Sequence, residues 1–187
     1  MPRAFALLLF LCPMVFPATA AAENSPTGGA KFADPAPIVA PGSKATLLPD
    51  GSAAAPADAP PQVQAAIFAA NKLLDKPYKY GGGHAKVEDT GYDCSGTISY
   101  ALIAAGALKT PLDSSSFMRW GLLGKGAWIT VYTNPGHAYA VIAGLRLDTS
   151  TGGVTSRSIA RTTERGPRWR SGKRRARGFK VRHPLGL

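Results

Sequence analysis

Cys94 stands in the segment "GYDCSG", with Asp93 before it, Ser95 and Gly96 after it, and the apolar run "TISYALIAAG" behind. Ile98, Ala101, Leu102 and Ala105 fall on one helical stripe, Asp93 suits the N-cap, and Gly106 suits the terminator. The thiol is therefore expected at a helix N-terminus, where unpaired backbone N–H groups and the helix dipole favour the thiolate, the nucleophilic form. A thiolate at neutral pH also wants a cationic neighbour, and imidazole is the common one. Three histidines are available, His84, His137 and His183. His137 opens "HAYAVIAGLRLDTS", which alternates like a strand pair with a tight turn at Ala143 and Gly144. In that register Tyr139 faces Asp148 and His137 faces Ser150, so Asp148 lies diagonally from His137 on the same face. A carboxylate there can hold one imidazole nitrogen while the other faces the thiol. Cys94, His137 and Asp148 thus read as nucleophile, base and orienter. The same residues also fit blander roles: an inert or intermolecularly bridged thiol, a structural histidine and a solvated aspartate.

The elements that must position these groups follow from the remaining periodicity. Val63, Ala66, Ile67, Ala70, Leu73 and Leu74 share one helical face, and Pro77 ends that helix. Gly81, Gly82 and Gly83 then form a loop that can pass close to another backbone. "WITVY", Trp128 to Tyr132, has strand character, and "GFKVRH" with His183 reads as a closing strand. Helices first and strands later predict an α+β domain.

The N-terminus reads as an export signal. "AFALLLFLCPMVF" is too short to span a bilayer and precedes small residues that fit cleavage after Ala20 or Ala22, giving a signal peptide over 1–22. Cys12 leaves with it, and Leu11 and Pro13 on either side argue against lipidation. Residues 23–61, rich in Pro and Ala, read as a disordered linker, and 62–187 as one domain. Of the 22 Lys and Arg in the chain, ten lie between Arg161 and the C-terminus, against Glu164 as the single acid there. In an exported protein this basic segment, 161–187, reads either as a surface for anionic wall polymers or lipid headgroups or as a solvated tail, and no nucleic-acid partner is expected. No "HExxH" or paired "CxxC" spacing points to a metal, and no cofactor is expected.

"KPYKYGGGH", "GYDCSG", "LDSSSF" and "PGHAYAVIAG" together resemble the NlpC family of papain-like cell-wall peptidases over most of Lys72 to Ser150. The resemblance implies a minimal papain-like fold, an antiparallel sheet packed on a few helices with the nucleophilic cysteine at a helix head. It implies Cys94 as the nucleophile, His137 as the general base and Asp148 as the third residue, with Ser150 as the alternative because many relatives carry histidine at that place. Tyr80 matches a tyrosine that relatives set beside the nucleophile, where its hydroxyl helps the site or the oxyanion. Asp93 and Ser95 would bind a free amino terminus of the substrate, Asp93 also serving as a helix cap, and His84 would be structural or touch substrate.

The resemblance thus implies an exported cysteine endopeptidase cutting peptidoglycan stems, at the bond from γ-D-glutamate to the diamino acid. Two other readings remain open at this stage: a non-catalytic cationic wall-binding protein on the same fold, and an acyltransferase using the same thiol.

Overall fold

The computed structural model describes residue 1 and residues 37–150, 166–171 and 174–187. The expected signal peptide, apart from residue 1, and the first part of the expected linker lie outside the described residues. From Ala36 to Leu187 the chain is one compact unit. It is an α+β fold, as the order of elements suggested.

Among the described residues six strands form an antiparallel sheet: β4 (Leu122–Leu123), β5 (Ile129–Asn134), β6 (His137–Ile142), β7 (Leu145–Asp148), β8 (Arg168–Arg170) and β9 (Lys180–His183). Their spatial order is β4-β9-β5-β6-β7-β8. Helix α1 (Pro61–Asn71) and helix α2 (Cys94–Ala104) pack on one another and against this sheet, and the short helix α3 (Ser114–Phe117) packs against β5. The core joins Val63, Ala66, Ile67 and Ala70 of α1 and Ile98, Ala101 and Leu102 of α2 to Ala138, Ala140, Ile142, Leu145 and Leu147 of β6 and β7. Those strand residues alternate, so the pleat turns His137, Tyr139, Arg146 and Asp148 to the other face.

The β6–β7 hairpin has the expected register, with Ala140 opposite Leu147 and Ile142 opposite Leu145. Its two-residue turn puts Ala143 at φ 47° and Gly144 at φ 92°, the left-handed pair whose twist matches that of the strands. An alanine is unusual there. Ala143 is tied down on both sides, its N–H donating to the Trp128 carbonyl (2.8 Å) and its carbonyl accepting from the Ala45 N–H (2.9 Å).

Two expectations about the ends of the domain are corrected. The residues of the expected linker from 37 onward are folded: β1 (Val39–Ala40), β2 (Thr46–Leu47) and β3 (Ala53–Pro56) make a small sheet in the order β1-β3-β2, and every residue of β3 is buried. Alanine in β3 gives no alternation to read, but its small side chain lets the strand lie close on α1. Asn71 at the end of α1 completes the contact by acting as an extra rung of backbone. The Ala53 N–H donates to Asn71 Oδ1 (3.0 Å), and Asn71 Nδ2 donates to the Ala53 carbonyl (2.9 Å). The basic C-terminal segment is likewise not a solvated tail where it is described. "GPRWR" holds β8, whose Trp169 is buried and donates Nε1–H to Asn71 Oδ1 (2.8 Å), and Lys180–His183 of "GFKVRH" form β9 between β4 and β5, the closing strand expected there.

Asn71 therefore joins α1, β3 and β8. Replacement of Asn71 by alanine leaves three buried polar groups without partners and is expected to lower the unfolding free energy by about 3 kcal/mol. An unchanged urea midpoint for Asn71→Ala would show that the joint carries no stability.

Candidate active site

Helix α2 begins at Cys94, and its N-cap is Asp93, whose carboxylate accepts the Gly96 N–H at 2.7 Å. The glycine-rich loop is packed against this helix start. The Asp93 N–H donates to the Gly82 carbonyl (3.3 Å), and Tyr78 and Tyr92 form a parallel bridge just upstream. A side chain at Gly96 would run into the Gly82 carbonyl, and one at Gly82 into the Gly91 carbonyl, so close backbone approach is what both glycines supply. The helix head carrying Cys94, the one free cysteine among the described residues, is thereby clamped, and the cysteine is half-buried.

His137 is fixed from the sheet side. "TNPGH" turns from β5 into β6, and Asn134 Oδ1 accepts the Gly136 N–H (3.0 Å) and the His137 N–H (2.9 Å). "LDSSSF" supports the same turn: Asp113 caps α3, and Ser114 Oγ donates to the Pro135 carbonyl (3.1 Å). The diagonal pairing read from the hairpin register is present, with His137 Nε2 3.0 Å from Asp148 Oδ1. Cys94 lies close enough to the imidazole for its thiol to act on the ring's protonation. With Nε2 on the carboxylate, Nδ1 is left to face sulfur.

Burial alone would lower the proton affinity of His137, but the hydrogen bond to Asp148 and the neighbouring Cys94 push its pKa up to about 9. Asp148 is fully buried at its side chain. Burial disfavours its charge, yet the hydrogen bonds from His137 and from the Ser150 N–H (2.9 Å to Oδ1) hold it well below the usual carboxylate range. The arrangement favours an imidazolium beside the Asp148 carboxylate.

Asp148, the first choice, stands on His137, and the fallback Ser150 accepts from Arg174 Nη1 at 2.8 Å. Two expectations change in detail. Tyr80 is 91% exposed, so its ring stands in solvent rather than packed beside the nucleophile. Asp93 and Ser95 flank Cys94 as expected, but they do not leave an open seat for an ammonium group. Asp93 accepts from Ser95 Oγ (3.0 Å) and the Gly81 N–H (3.1 Å) besides Gly96, and His84 Nε2 lies 3.0 and 3.1 Å from its two oxygens. His84, read only as structural or substrate-touching, occupies that seat. His183, on β9, points to the Gly124 carbonyl (3.1 Å) and away from the site.

Nothing in the residue pattern marks Arg146 and Arg174 as partners of Asp148. Arg174 Nη1 donates to Asp148 Oδ2 (2.9 Å), and Arg146 Nε lies 3.4 Å from the same oxygen. Both are hidden in patterns with other meanings, Arg146 in a strand alternation and Arg174 in a run of charge. Among the described residues no three His, Cys, Asp or Glu side chains converge in a group able to hold a metal ion. No model of a known protein family matches the chain, and no curated protein matches it.

The pKa shifts give the His137–Asp148 pair a signed pH dependence. A histidine raised from 6.5 to about 9 contributes its full stabilisation below pH 6.5 and loses it as pH rises through 9. A depressed aspartate contributes above about pH 4 and loses it below. Asp148→Asn is expected to cost about 3 kcal/mol at pH 5 to 6, since it also strips two guanidinium groups of their anion. The gap to wild type in denaturant unfolding should be widest between about pH 4 and 6.5 and narrow toward pH 9 and beyond; a gap that grows from pH 6.5 to 9 would contradict the pairing.

Proposed function

We propose that the protein is an exported cysteine endopeptidase of peptidoglycan stems, built on a minimal papain-like fold. The observation that carries this reading is the imidazole of His137, held by the buried Asp148 and neighboured by Cys94 at a helix head. An inert core cysteine has no use for that arrangement, whereas an acyl-transfer nucleophile requires it. The quoted motifs supply the substrate class, and the exposed cations Arg175, Arg177 and Lys180 suit the carboxylates of such stems.

In this mechanism the Cys94 thiolate attacks the amide carbonyl carbon, and the carbonyl oxygen takes the negative charge. The Cys94 N–H, in the first turn of α2 and without an intrahelical acceptor, is placed to receive it. Tyr80 is not needed for that role. His137 then gives its proton to the departing amine, the C–N bond breaks, and a thioester remains on Cys94. A water molecule, deprotonated by His137, attacks the thioester; the carboxylate product leaves and the thiolate and imidazolium are restored. Asp148 keeps Nε2 occupied throughout, so the proton traffic runs through Nδ1.

The test is digestion of purified peptidoglycan followed by mass spectrometry of the soluble products. Wild type is expected to release fragments cut between γ-D-glutamate and the diamino acid. Cys94→Ala should lower their rate of release by at least about a thousandfold while keeping the thermal unfolding transition. Equal release by Cys94→Ala, or none by wild type, would overturn the reading.

A further inference from the structure

We propose that Arg174 is a positioning residue of this site: it holds Asp148 so that the carboxylate in turn holds His137 toward Cys94, which makes part of the basic C-terminal segment a component of the catalytic apparatus. The inference rests on the reading of Cys94 as a nucleophile, but not on any particular substrate.

Asp148 has two oxygens with divided duties. Oδ1 receives His137 Nε2 and the Ser150 N–H; Oδ2 receives Arg174 Nη1 at 2.9 Å. Arg146 stands on the same side, but its Nε is buried without a hydrogen bond, so it supplies charge rather than direction. A carboxylate anchored at one oxygen only can swing about its χ2, a broad torsion, and carry the imidazole with it. The bond from Arg174 removes that freedom.

Arg174 is itself held by further contacts. Nη1 also donates to Ser150 Oγ, and the guanidinium carbon lies 5.2 Å from the Tyr139 ring centroid and 5.4 Å from that of Phe179. The same two rings flank His137, at 6.5 and 6.4 Å between centroids, and they pack edge to face on one another at 5.2 Å. Imidazole, guanidinium and carboxylate thus share one aromatic frame. A planar fork that stacks and donates at once is what arginine offers and lysine does not. Nη1 is also 3.4 Å from His137 Nε2, so the cation stands close to the imidazole it helps to orient.

Two effects on the imidazolium oppose one another. Holding the carboxylate stabilises it; adding a positive charge nearby does the reverse. The charged and titratable groups around the pair are Cys94 from α2, Tyr132 from β5, Tyr139 from β6, Arg146 from β7, Arg170 from β8 and Arg174 itself. Burial raises both tyrosine hydroxyls, so neither adds charge near neutrality. With Arg146 remaining beside Asp148, loss of Arg174 leaves the carboxylate charged but misaligned, so the orienting effect dominates.

The experiment reads the thiol directly, without a substrate. The second-order rate of alkylation by iodoacetamide is measured at Cys94, by mass spectrometry of its peptide from the full chain, between pH 4 and 9 for wild type, Arg174→Ala, Asp148→Asn and the double variant. Arg174→Ala is expected to move the acid limb of the reactivity profile about one unit to higher pH, which is a rate about tenfold lower along that limb. The double variant should match Asp148→Asn within about twofold, because the arginine acts through the aspartate. Arg174→Lys should move the profile in the same direction by about half a unit, and it decides the question alone if Arg174→Ala does not fold. A profile that coincides with wild type, one shifted to lower pH, or losses that multiply in the double variant would overturn the proposal. Absence of peptidoglycan cleavage alongside the expected alkylation shifts would remove the proposed substrate and leave the role of Arg174 standing.

Discussion

A negative charge sealed inside a small domain must be answered by its neighbours, and Asp148 is the charge around which this molecule is arranged. Its side chain has no exposure, so its stability depends on hydrogen bonds and cations brought from distant parts of the chain. His137 comes from β6, Arg146 from β7 itself, and Arg174 from the segment leading to β9. On the proposed reading, the reward for this arrangement is chemical rather than structural. An apolar pair of the same size would fill the space at least as well. What it would not do is keep an imidazole charged and aimed at a thiol.

The helix side of the site meets the sheet side under a different constraint, the closeness of backbones. Gly82 and Gly96 let the glycine-rich loop lie against the first turn of α2, and Asp93 ties the loop, the helix and His84 together. This fixes the cysteine without using its sulfur. One aspartate thus divides its roles: a carboxylate already serving a helix cap, a loop N–H, a serine and an imidazole is part of the frame on which Cys94 is mounted. Rigid support from residues that never touch a reacting atom is how a thiol is kept within reach of its base.

The sequence was legible where periodicity and chemistry point the same way. The caps Asp93 and Gly106, the two-residue turn at Ala143 and Gly144, and hence the diagonal from His137 to Asp148 all follow from local rules that tertiary contacts did not override. Other features were silent for identifiable reasons. β3 is three alanines and a proline, so it carries no strand pattern, and it is held in place by Asn71, eighteen residues on. Arg174 lies in a run of cations that differ little in sequence, and only the fold distinguishes the one turned onto Asp148 from Arg175 and Arg177, which face solvent. Tyr80 shows the opposite failure, since matching a motif did not bring its ring to the nucleophile.

The shared imidazole is tested most directly by following the ring of His137 through a pH titration by nuclear magnetic resonance. The account predicts that the ring keeps its proton through neutrality and titrates near pH 9, with a clear fall in that midpoint when Cys94 is replaced by alanine. A midpoint at or below the ordinary 6.5, unmoved by loss of the thiol, would contradict it.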